Sequence, residues 1–193
     1  MNLPAFAAMF AVGLVLAIGI FIVVSSYNAV MALRQRSEKA WSNIGVVLKQ
    51  RHDQLPNLVA AVRGVMAFER DVLTAVTEAR AAYAPTAPIP DQALVSDATS
   101  AAVRSLFAVV ERYPEVKSQA NVQDLQDEIE RLESMIADRR ELYNDQVYRY
   151  NTRIAQVPGA LLAPLFGWRP RAFFAVDPAE AVRPDTDLGL TGR

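Results

Sequence analysis

Residues 4–24 read PAFAAMFAVGLVLAIGIFIVV. As a helix rising 1.5 Å per residue, this unbroken apolar run covers the roughly 30 Å hydrocarbon thickness of a bilayer. A buried core helix of that length carries a polar stripe, and this run carries none, so a transmembrane helix is predicted over residues 4–26. The first charged side chain in the chain is Arg34. A cleaved leader calls for basic residues ahead of the run and a small-residue cleavage pattern behind it. The preceding flank has no Lys or Arg, and Val23-Val24-Ser25-Ser26-Tyr27 has no such pattern, so the anchor is expected to stay. Arg34, Arg36 and Lys39 follow the run. This bias places a short N-terminus outside and the rest in the cytoplasm, at the inner membrane. It rests on three charges, and the opposite sidedness stays open.

Beyond the anchor the polarity is ordinary. Apolar residues make up 52% of the chain and charged residues 21%, with a formal net charge of −1. That balance excludes nucleic-acid binding through bulk electrostatics. The absence of cysteine excludes a disulfide framework, a thiolate metal site and a cysteine nucleophile. One histidine, His52, leaves no second imidazole for a metal centre or triad. A diiron bundle would need Glu three residues before a histidine, and Lys49 stands there. Glu128, Glu130 and Glu133 have no histidine near them and read as a solvated face. Neither metal nor cofactor is expected, and Ser25 and Ser26 have no base near them in sequence.

The soluble part reads as helices. The first stretch continues from the anchor through Trp41, Ile44, Val47, Leu48 and Leu55 to a corner at Pro56, with Asp53 as a candidate cap. In the second, Leu58, Val62, Val65, Glu69, Val72, Val76, Ala79 and Tyr83 recur at spacings of four and three until Pro85, Pro88 and Pro90. A third helix runs from about Gln92 to Arg112 and closes at Pro114. A fourth runs from near Asn121 to Val157, with Pro158-Gly159 as its stop. Short connections imply antiparallel neighbours, so the expected fold is all-α: the transmembrane helix continues into an up-down-up-down four-helix bundle over residues 27–158. Residues 159–176 form an aromatic and basic segment, and residues 177–193 a loose polar tail.

Several blocks together resemble the LemA family of bacterial membrane-anchored helical proteins. They are Tyr27-Asn28, Ala40-Trp41-Ser42, the run Val47 to Val59, Glu69, Val72-Leu73 and Ala79-Arg80. On the fourth helix come Leu125 to Ile129, Ile136 to Arg140, Tyr143-Asn144 and Tyr150-Asn151, followed by Phe166-Gly167 and Phe173-Phe174. The resemblance covers almost the whole chain. It implies a helical bundle on one span, with the bulk in the cytoplasm, and it implies no reaction. Some members are associated with membrane biogenesis, which keeps a membrane-organising role open. His52 and Gly45 depart from the family pattern, and both are expected to soften the first helix locally.

Glu69 and Arg139 interrupt apolar seams on the second and fourth helices. A lone buried charge is costly, so Glu69 is expected to meet a cation, Arg139 first or Arg51 second. The competing reading rotates the helices slightly, so that Phe68 and Arg140 trade places with them and the charges reach water. Trp41, Asp53, Pro56, Asn57, Tyr143, Asn144, Tyr150 and Asn151 are motif positions without an assigned role. Corner chemistry suits Asp53, Pro56 and Asn57, and seam packing suits the tyrosines. Phe166, Trp168, Arg169, Arg171, Phe173 and Phe174 suit the headgroup zone of a membrane, or they fold back to seal the end of the bundle. A non-enzymatic scaffold or interaction module is the leading expectation. Its partners would be the lipid bilayer and a second copy or another membrane protein. The alternative is a regulatory subunit of an envelope enzyme, or an unrecognised enzyme.

Overall fold

A computed structural model describes residues 3–63 and 69–175. Val65, Phe68 and the predicted tail over residues 177–193 lie outside the described residues. Among the described residues there are six helices and no strand: α1 (Leu3–Arg63), α2 (Arg70–Ala81), α3 (Ile89–Val110), α4 (Pro114–Lys117), α5 (Ala120–Ala155) and α6 (Gly159–Phe166). The chain is all-α, with an N-terminal helix long and apolar enough to cross a membrane.

Helix α1 is a single helix of 61 residues, about 90 Å of axis. The corner expected at Pro56 does not exist, since Pro56 lies inside α1. Proline removes the N–H that would bond the carbonyl four residues back, here that of His52. The freed oxygen instead accepts Nε of Arg80 at 3.4 Å. Gly45 and His52, expected to soften the helix, do not interrupt it.

Prolines also shift the later boundaries. Pro88 caps α3, and Pro90 fits within its first turn, where the missing N–H costs nothing. Pro114 opens the short α4 as well as closing what precedes it. Pro158-Gly159 ends α5 but starts α6 at once. Gly167 then terminates α6 in the left-handed region at φ 66°, and the Trp168 N–H returns to the Ala163 carbonyl.

Two compact units share α1 and α5. One comprises Met1–Ser42 and Asp145–Arg171, the other Asn43–Asn144 and the chain from Ala172. The first has a core of Val30, Tyr150, Ile154 and Trp168, edged by Leu33, Leu162 and Ala163. In the second, Ile44, Leu48, Leu55, Leu58 and Val62 of α1 are buried. So are Leu73 and Val76 of α2, Val103, Leu106 and Val110 of α3, and Ile129, Leu132, Ile136 and Tyr143 of α5. These buried apolar residues of the second unit thus come from four helices, α1, α2, α3 and α5.

Candidate functional site

The second unit is pinned at Arg51, whose side chain is only 4% exposed. The buried positions of α3 explain how it is accommodated. Counting back from Val110 and Leu106 through Val103 at steps of four and three gives Thr99, Ser96 and Gln92, all buried and all polar. Arg51 donates to Ser96 Oγ at 3.0 Å, to Ser100 Oγ at 2.8 Å and to Glu133 Oε1 at 2.8 Å. It also reaches the Ser96 carbonyl at 3.3 Å, and Ser100 donates to the other Glu133 oxygen at 2.6 Å. The cation is thus matched by a carboxylate and by hydroxyls fixed on an adjacent helix, as burial of a charge demands. Glu133 was expected on a solvated face, but it belongs to this node.

Glu69 meets neither Arg139 nor Arg51. It is the residue that precedes α2, not a seam position within a longer helix. Its carboxylate accepts from Arg112 at 3.2 Å and from the Tyr113 hydroxyl at 3.3 Å. Arg139 is half-buried, with its Nε unpartnered among the described residues. Its neighbour Arg140 takes the ion pair, with Asp97 at 3.1 Å, and lies over the Phe174 ring at 5.8 Å.

A pocket of about 120 Å³ borders this node, lined by Leu48, His52, Leu55, Tyr83, Val95 and Thr99 among others. The His52 ring packs on Tyr83 with centroids 4.8 Å apart. Burial, reinforced by the Arg80 charge, holds the imidazole below its ordinary 6.5, which favours the neutral form. Burial likewise raises the Tyr83 phenol. Asp53 and Asn57 cap no corner. Asp53 accepts from Lys49 at 2.6 Å on the exposed face of α1, which lowers its carboxyl pKa, and Asn57 donates to Gln54 at 3.0 Å. No group of three or more His, Asp or Glu among the described residues is placed to hold a metal ion.

The two Tyr-Asn pairs have a shared function in the fold. In the first unit, Asn151 donates to the Arg171 carbonyl at 3.0 Å and accepts from its N–H at 2.9 Å. In the second unit, Asn144 treats Phe174 the same way, at 3.2 and 2.8 Å. A carboxamide carries one acceptor and donors in a plane, so it pairs with a peptide group as another peptide group would. Tyr143 adds a hydrogen bond to the Ala172 carbonyl at 2.9 Å, and Tyr150 places its ring under the Arg171 guanidinium at 5.7 Å.

These bonds hold much of the aromatic and basic segment against helices. Trp168 and Phe174 are buried, Phe173 is half-buried, and Arg171 donates to Ser37 at 2.8 Å and Glu38 at 2.5 Å. Hydrogen bonds from Arg34 and from Arg171 hold the Glu38 carboxyl below its ordinary value. Phe166 and Arg169 remain exposed, and Trp41 is half-buried on α1.

The chain is similar to known proteins in two ways. Magnetosome protein MamQ 1 and Magnetosome protein MamQ 2 of Paramagnetospirillum magneticum are each 35% identical to it over 78 residues, which is 40% of this chain. The chain spans 29% of the length of those relatives. The LemA family profile matches residues 40–187, a stretch that takes in the Arg51 node and both Tyr-Asn pairs. The chain belongs to the LemA family.

Proposed function

We propose that this LemA-family chain is a non-enzymatic, single-span membrane protein whose up-down-up-down bundle works as a scaffold or interaction module. In this reading the bundle lies on the cytoplasmic side, and the chain self-associates or engages another membrane protein. The observation that carries it is α1, one helix that contains both the exposed apolar run and the core-lining residues Ile44 to Val62. A binding surface built on such a helix is tethered without an intervening linker. The polar groups at Arg51 hydrogen-bond to one another, which suits a structural pin better than a reaction centre. Similarity to proteins named for the magnetosome supports a role in organising membrane.

Crosslinking in native membranes, joined to the mass of the particle extracted into nanodiscs, tests the proposal. Self-crosslinked species or a stoichiometric membrane partner is the expected result. A strictly monomeric particle with nothing captured overturns it. Sidedness is read by Thr86→Cys, an exposed position in a chain without native thiols. Protection from an impermeant reagent in intact cells is expected, and labelling there reverses the orientation.

A further inference from the structure

Helix α6 is apolar on both sides. Leu162 and Ala163 pack on the cluster of Val30, Tyr150, Ile154 and Trp168. Leu161 and Leu165 point away from it, 73% and 75% exposed, with Val157 and Pro164 also exposed. No charged residue lies between Val157 and Trp168.

The place of this face within the first unit indicates what covers it. Phe166 meets Tyr27 edge-on, with centroids 5.1 Å apart, and stacks on Trp168 at 5.2 Å. Tyr27 follows Val24, the last residue of the apolar run, by three positions, and Val23 and Val24 are themselves exposed. The outer face of α6 thus continues the exposed apolar surface of α1. Tyrosine and tryptophan gather at that junction, as they do at the boundary between acyl chains and headgroups. Exposed cations come next on both segments, Arg34 and Arg36 on one and Arg169 on the other.

We infer that α6 is a second membrane contact, with Leu161 and Leu165 seated in the acyl–headgroup boundary of the bilayer that α1 crosses. This rests on the reading of α1 as a span. Lipid is the occupant because the surface is continuous with the lipid-facing side of α1 and bordered by cations suited to phosphate headgroups.

The test uses the full chain in nanodiscs with single spin-labelled cysteines at Leu161, Leu165, Leu14 and Thr86. Collision with dissolved oxygen is compared with collision with a water-soluble nickel chelate. At Leu161 and Leu165 the oxygen-to-nickel ratio is expected several-fold above that at Thr86 and below that at Leu14, at a depth of about 5–10 Å. Water-like ratios at both leucines, with Leu14 deep in lipid, overturn the inference and leave the span intact. A water-like ratio at Leu14 removes the span and the inference together. Low access to both reagents at the leucines, with dipolar coupling between labels, shows a second copy on this face and also overturns the inference.

Discussion

Arg51 and Glu133 form an ion pair at 2.8 Å in which the partners are unequally buried, 4% exposed for the guanidinium and 26% for the carboxylate. The asymmetry decides which partner is harder to lose. Glu133→Leu strands a buried cation and is expected to cost about 3 kcal/mol, whereas Arg51→Met leaves a carboxylate that reaches water and costs less. The double variant recovers much of the Glu133→Leu loss. Denaturant unfolding of all four proteins measures this, and equal single-variant costs would contradict the burial argument.

Stability should rise with pH through the histidine range. The folded state holds His52 below its ordinary 6.5 by burial and by the Arg80 charge, so the unfolded chain binds the extra proton first. The contribution is complete above about pH 6.5 and is lost as pH falls toward the lowered folded value. His52→Gln is expected to flatten the thermal-midpoint profile between pH 7.5 and 5.5. Arg80→Met is expected to narrow the window, because it removes the largest of the charges that lower the imidazole pKa. With one histidine in the chain, no other imidazole contributes, so an unchanged profile in His52→Gln would refute the assignment.

Asn151 sets the exchange rate of one amide. Its Oδ1 accepts the Arg171 N–H at 2.9 Å, and Asn151→Ala is expected to speed exchange there about ten-fold, the equivalent of one to two lost hydrogen bonds. Asn151→Asp keeps the acceptor but sets an oxygen against the Arg171 carbonyl, so it rescues only part of the protection. Residue-resolved hydrogen exchange separates these outcomes from a general loosening, which would also move amides in α3.

Gly167 tolerates its φ of 66° because it lacks a Cβ. Gly167→Ala is expected to cost about 1 kcal/mol. Limited proteolysis should then cut sooner between Phe166 and Arg171, while fragments from α3 appear at the native rate.

Much of this molecule was legible in its amino acids, and the misreadings share a cause. The apolar N-terminal helix stood out because nothing in residues 4–24 competes with it. The Pro56 corner was misplaced because a local rule cannot see a guanidinium arriving from α2. Gln92, Ser96 and Thr99 were passed over because seam reading looks for apolar residues, and their spacing becomes visible only when extended back from Val110. Helix α6 was hidden by Pro158, Gly159 and Pro164, all breaking signals. The Tyr-Asn repeats were visible as a heptad, but their hydrogen-bonded segment lies 20 residues on for Asn151 and 30 for Asn144.

The rung of α1 left open at Pro56 is closed by a side chain 28 positions away from His52. The longest rod in the molecule is therefore not self-sufficient. The carbonyl that Pro56 leaves unanswered finds its donor on α2, which couples the completion of one element to the arrival of another and favours their forming, and melting, together.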